Sequence, residues 1–172
     1  LYDTIDTAID LEETKINFAK AGKAVLNYAT DGGKWADYYN YASILLRIAS
    51  VKCDIRMELK NKYKAGDRQY LENLTQKILP ALSDGYKQLC ALHQRQWLAT
   101  YKAFGWEVIN ARYGVLAARI EYAIERIKAY LAGEIENIEE LEYETLYQSS
   151  KSEGELVISK GFKQLVTGSV IF

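Results

Sequence analysis

The chain has 172 residues, 49% of them apolar and 26% charged, with 22 basic residues against 23 acidic ones. This balance suits a globular domain long enough to bury a core, and it excludes global disorder. A net charge of −1 provides no overall positive field for nucleic acid.

Helical periodicity begins at about Asp10 and runs to Thr30, with Ile16, Ala19, Lys23, Leu26 and Ala29 recurring at threes and fours. Asp31-Gly32-Gly33 stops it. A second helix is predicted from Trp35 to Ala65, where Tyr41, Ile44, Ile48, Val51, Ile55 and Leu59 share one face. Gly66 closes it, and Asp67 is placed as the N-cap of the next helix. That third helix is expected over Arg68–Lys102. Pro80 predicts a kink within it, and Ser83-Asp84-Gly85 offers a possible break. Phe104-Gly105 separates it from a fourth helix over Trp106–Ala132, capped by Gly133.

After Gly133 the composition changes. Glu136–Glu144 reads as an acidic helix carrying Ile138, Leu141 and Tyr143, and Gln148–Gly154 reads as a loop. Leu156-Val157-Ile158 and Val166–Phe172 are apolar without helical periodicity, which suggests short strands or an extended tail packed back on the helices. The fold class is therefore all-α: about four long antiparallel helices in one domain over 1–172, with a loop and apolar tail at 144–172. One proline in the whole chain suits long helices. Fourteen tyrosines suit helix seams, where a ring is buried and a hydroxyl stays wet.

The chemistry-bearing residues are few. Cys53 and Cys90 match no ligand spacing and sit beside apolar residues, so both are expected as buried free thiols. Unpaired cysteines point to a reducing, cytoplasmic compartment. A di-iron helix bundle needs two Glu-x-x-His pairs, but this chain has one histidine, and the residue three before it is Cys90. The composition excludes a His/Cys zinc site, and no segment is apolar for long enough to cross a membrane. No phosphate-binding glycine loop and no nucleophile elbow occur. Neither a catalytic residue, a metal site nor a cofactor is expected, and His93 is read as a structural residue at a helix seam.

The densest region runs from His93 to Arg119. As an ordinary hairpin it would use its aromatics as core, Gly105 as the turn and Gly114 as a close helix contact. As an interface it would present His93, Trp97, Phe104, Trp106, Glu107, Arg112, Tyr113 and Arg119, since Trp, Tyr and Arg anchor buried interfaces. Arg112 and Arg119 lie seven apart on one helical face, and with Glu107 they suggest a polar network.

The same region carries a resemblance. His93-x-x-x-Trp97, Lys102-Ala103-Phe104-Gly105, Glu107-Val108-Ile109-Asn110-x-Arg112-Tyr113-Gly114-x-Leu116-x-x-Arg119, Ala123-x-Glu125-Arg126, Tyr130-Leu131-x-Gly133 and Ile138–Glu142 are similar to the C-terminal helical domain of a bacterial branch of family 20 glycoside hydrolases. The resemblance implies a small N-terminal domain and a (β/α)₈ barrel upstream. It also implies exo-β-N-acetylhexosaminidase activity, in which the substrate's own acetamido oxygen attacks and an adjacent Asp-Glu pair assists. No Asp-Glu dipeptide occurs here, so the resemblance assigns no catalytic residue to this chain. The chain begins at Leu1 without a methionine, as a domain cut from a longer protein would. Its expected partners are its own upstream catalytic barrel and, in a homodimer, a second copy; no nucleic-acid or membrane partner is expected. Two other readings are a stand-alone helical interaction module and a glycan-binding module using Trp35, Trp97 and Trp106.

Overall fold

A computed structural model describes residues 10–143, and among these every regular element is helical. The expected loop and tail at 144–172 lie outside the described residues. Helix α1 spans Leu11–Asp31, and Asp10 caps it by accepting the Glu13 N–H at 2.9 Å. A 3₁₀ turn, Gly33–Trp35, leads into α2, Ala36–Lys52. Helix α3 is Ile55–Lys64 and α4 is Arg68–Asn73, the latter capped by Asp67 through the Tyr70 N–H. A π-helical segment, Leu74–Ile78, joins α4 to α5, Leu79–Thr100. Helix α6 is Trp106–Ala132, and a single turn, α7, is Glu139–Glu142.

Three sequence expectations change here. The helix expected over 35–65 is two helices. Its apolar stripe runs unbroken across the break, which is why periodicity missed it. At the junction Asp54 is buried and turns its carboxylate to Lys15 Nζ of α1, 2.6 Å away, so the side chain serves a tertiary ion pair rather than a helix cap. That hydrogen bond holds the Lys15 ammonium above its ordinary pKa. The irregularity expected at Pro80 falls just before it. The Leu79 N–H donates to Leu74 O five residues back, and this wider turn makes room for a ring that would otherwise crowd the preceding turn. The helix then continues through Ser83-Asp84-Gly85 without a break, because Gly85 is a packing residue: a Cβ there would stand 3.3 Å from Ile48 Cγ1 of α2. The acidic helix expected over Glu136–Glu144 is only the one turn of α7. Upstream of it, Gly133 at φ +76° closes α6 with the Glu134 N–H bonded to Ala129 O, and Ile138 is extended.

Helix α5 lies at the centre. Helix α2 runs antiparallel along one side of it, with Asp37 at Arg95, Tyr41 at His93 and Ile48 at Gly85. Helix α6 runs antiparallel along the other side, with Trp106 near Trp97 and Tyr113 at His93. Helix α1 packs on the outer side of α2, and its only buried residue is Gly22, whose carbonyl accepts from Ser43 Oγ at 2.9 Å. The core is made by Leu71, Leu74, Leu79, Leu82, Leu89, Ile120 and Ile127, closed at one end by Ile138. Tyr63 locks Ile138 in place: its hydroxyl accepts the Ile138 N–H at 3.1 Å and donates to Glu142 at 2.6 Å. Arg68 donates to Leu131 O in the last turn of α6, and Lys60 Nζ to Tyr143 O at 2.8 Å, so the segment from the end of α6 to Tyr143 is held at both ends.

The cysteines are free, but both are half-buried rather than enclosed. Cys53 stands at the junction of α2 and α3, with Sγ 3.3 Å from Ser50 O. Among the described residues no helix is long and apolar enough to cross a membrane.

Candidate functional site: an aromatic hairpin and its exposed end

The hairpin of α5 and α6 sorts its aromatic residues into two sets. The inner set surrounds His93, whose ring meets Tyr41, Trp106 and Tyr113 edge-on at centroid distances of 5.5, 5.4 and 6.0 Å. His93 Nδ1 lies 3.1 Å from the Tyr113 hydroxyl, which also hydrogen-bonds Tyr41. Burial lowers the pKa of His93 and, reinforced by Tyr41, raises that of Tyr113 far above the ordinary tyrosine value. Both groups are therefore held neutral, as suits a seam of polar tips inside an aromatic packing layer.

This has a measurable consequence. Unfolded, the imidazole takes up a proton near the ordinary histidine value of about 6.5; folded, it does so only at lower pH. Between those values the unfolded chain binds more protons, so the contribution of His93 to stability is complete above about pH 6.5 and is lost as pH falls toward the folded value. Since this is the chain's only histidine, one imidazole resonance followed by NMR should titrate below 6.5. The melting temperature should fall through the same window in the native protein and lose that step in His93→Gln.

The turn between the helices is built on Gly105, at φ +95°, where a side chain would be strained and its Cβ would meet Trp97 Cζ2 at 3.3 Å. Trp97 Nε1 donates to Lys102 O at 2.9 Å, and Glu107 accepts the Gly105 N–H at 2.8 Å. Trp97 is thus committed to the turn and Trp106 is buried. Of the three tryptophans considered for glycan stacking, only Trp35 is mainly exposed, and Lys34 Nζ sits 5.3 Å over its ring.

The outer set is exposed. Phe104 is 87% accessible and Tyr101 64%, with Leu98 and Val108 beside them in sequence on the same hairpin end. The start of α2 joins this end: Arg95 Nη2 binds Asp37 Oδ1, and Gln96 Nε2 binds Asp37 O, each at 3.0 Å. Trp35 and Tyr38, whose rings lie 5.3 Å apart, are therefore carried to the same end of the molecule, and both are exposed. Isolated exposed apolar residues are ordinary, but this many at one end are not.

Among the eight residues predicted from sequence, His93, Trp106 and Tyr113 are gathered around one seam, and Trp97 and Glu107 build the turn. Phe104 alone is a large apolar side chain held fully outward. Arg112 and Arg119 are exposed on α6. No hydrogen bond or ion pair among the described residues joins them to Glu107, so the expected polar network does not form; Glu107 is taken up by the turn. Gly114 makes no close helix contact, with open space where a Cβ would stand. Tyr38, Leu98 and Tyr101, all exposed, were missed, and Trp35 was singled out only as a glycan-stacking candidate, not as part of this end. The available signal was a tryptophan one residue beyond the Gly32-Gly33 pair, which no helical stripe needs.

A family model described as the Glycoside Hydrolase 20C C-terminal domain matches residues 1–159. The chain belongs to this family. The match reaches well beyond the stretch His93–Glu142 that carries the sequence resemblance, and it takes in α1 to α5. Comparison with curated proteins gave no match. As a glycoside hydrolase 20C C-terminal domain, the chain is an accessory domain of a family 20 enzyme.

Proposed function

We propose that this domain is the non-catalytic accessory domain of an exo-β-N-acetylhexosaminidase and that its aromatic end docks on the upstream catalytic barrel. The parent enzyme would remove terminal β-linked N-acetylhexosamine by the substrate-assisted retaining route, with its Asp-Glu pair supplied by the barrel. The observation that carries the docking reading is the outward cluster of Phe104, Tyr101, Leu98, Trp35 and Tyr38 at one end. Aromatic residues on a rigid hairpin are well suited to anchor an interface, because they bury large areas at little cost in conformational freedom. The inner seam around His93 holds that hairpin in shape.

The test is a double substitution, Phe104→Ser with Tyr101→Ser, in the full-length protein. Both side chains are mainly exposed within this domain, so the domain itself should keep its stability. Loss of a shared interface should separate one cooperative melting transition into two. An unchanged single transition, with unchanged hydrolysis of an aryl β-N-acetylglucosaminide, would sink the docking reading.

A further inference from the structure

Helix α6 carries a repeat that its own packing does not use. Three recesses of about 350, 200 and 290 Å³ lie in a row along it, and adjoining ones share lining residues, so they form one groove. Each recess takes one apolar residue and one arginine from α6. Ile109 and Arg112 line the first, Leu116 and Arg119 the second, Ala123 and Arg126 the third. Both series step by seven residues, about 10.5 Å per step at the helical rise. The buried residues of α6, Ile120 and Ile127, belong to a different stripe that faces the core.

The charge along this groove has one sign. No aspartate or glutamate lines the first two recesses, and Lys52 of α2 lays its ammonium 5.7 Å over the Tyr86 ring between them. Arg112 and Arg119 are exposed and meet no carboxylate among the described residues. The third recess shows what satisfies such a step. There the helical turn α7 places Leu141 in the recess, while Glu140 pairs with Arg126 at 3.2 Å. A helical turn with an apolar residue inward and a carboxylate on the arginine thus fills one step of three.

We propose that the two open steps receive an acidic amphipathic helix of a separate protein, with an apolar residue in each recess and a carboxylate on each of Arg112 and Arg119. A seven-residue repeat is what a helix laid along α6 can match, since its own side chains return to one face at that interval. A second copy of this chain does not fit. Groove against groove would set arginine against arginine, and among the described residues no two acidic residues stand seven apart. The upstream part of the enzyme is assigned to the aromatic end, which leaves this side of the domain to another partner.

The test is fluorescence anisotropy with the full-length protein and a labelled synthetic helix about three heptads long, with leucine and glutamate each repeated every seven residues. Micromolar binding is expected, weakened about tenfold by Arg119→Glu and unaffected by Lys128→Glu, an exposed position on α6 that does not line the groove. A matching peptide with lysine in place of glutamate should bind the native protein at least tenfold more weakly. It should gain affinity for the double variant Arg112→Glu with Arg119→Glu. No binding of the acidic peptide, equal binding of the two peptides to the native protein, or an affinity indifferent to Arg119→Glu would each overturn the proposal. The readout is peptide affinity, so failure here leaves the docking of the aromatic end untouched.

Discussion

Leu71→Ala is expected to destabilise this domain by about 3–4 kcal/mol, lowering its melting temperature by roughly 10 °C for a chain of this size. Leu71 has no exposed surface and stands on α4, where the short helix packs under α6 beside the π-helical segment. Truncation there removes a whole enclosed side chain. The neighbouring turn is already adapted to Pro80, so the backbone has little freedom to collapse into the space. The cost should therefore sit in the upper half of the range for buried leucine truncations. Leu45→Ala is the matched control: the same chemistry at a 44% exposed position should change stability by no more than about 0.5 kcal/mol. Differential scanning calorimetry of the two variants checks both figures, and similar losses would show that the core is not where it is described.

Gly22→Val is expected to cost about 2 kcal/mol, and the cost should be local. A Cβ at this position would stand 3.2 Å from Leu46 Cβ and 3.3 Å from Ser43 O, and neither atom is the end of a flexible side chain. The two added methyl groups must push α1 off α2 and break the Ser43 Oγ bond to the Gly22 carbonyl. Helix α1 buries little else. It is then held chiefly by its packing along α2 and by the Lys15–Asp54 pair at its first turns. Hydrogen exchange should show residues 11–31 losing protection while α4, α5 and α6 keep theirs. Uniform loss across all helices would mean that α1 is part of the central core after all.

These two sites also show what the sequence could and could not convey. The ends of α1, α4 and α6 were legible because their signals are local: Asp10 and Asp67 cap through their own carboxylates, and Gly133 supplies the left-handed turn. The break at Asp54 was not, since Val51, Ile55 and Leu59 keep one stripe across it. What interrupts the helix is a partner thirty-nine residues away, Lys15. The π-helical segment before Pro80 follows from the same limit: a proline announces an irregularity but not which turn absorbs it. Gly22 looked like any helical glycine, because closeness to Ser43 and Leu46 exists only once α1 and α2 have packed.

The candidate site was legible as a region and not as a surface. Sequence located the aromatic hairpin, but the residues at its tip rotate through a turn in which helical periodicity no longer tells inward from outward. Trp97 and Trp106 turned in, and Phe104 turned out. Trp35 and Tyr38 joined the exposed end only because Asp37 binds the last turns of α5.

Hydroxyl-radical footprinting of the full-length protein tests the docking account most directly, because the side chains in question are themselves good targets for oxidation. Phe104 is 87% exposed within the domain, and Tyr122, on the far part of α6, is 54% exposed. If the aromatic end is covered by the catalytic barrel, Phe104, Tyr101 and Trp35 should be protected, and after correction for intrinsic reactivity Phe104 should be labelled several-fold less than Tyr122. Labelling of Phe104 equal to or greater than that of Tyr122 would leave the aromatic end bare in the intact protein and contradict the account.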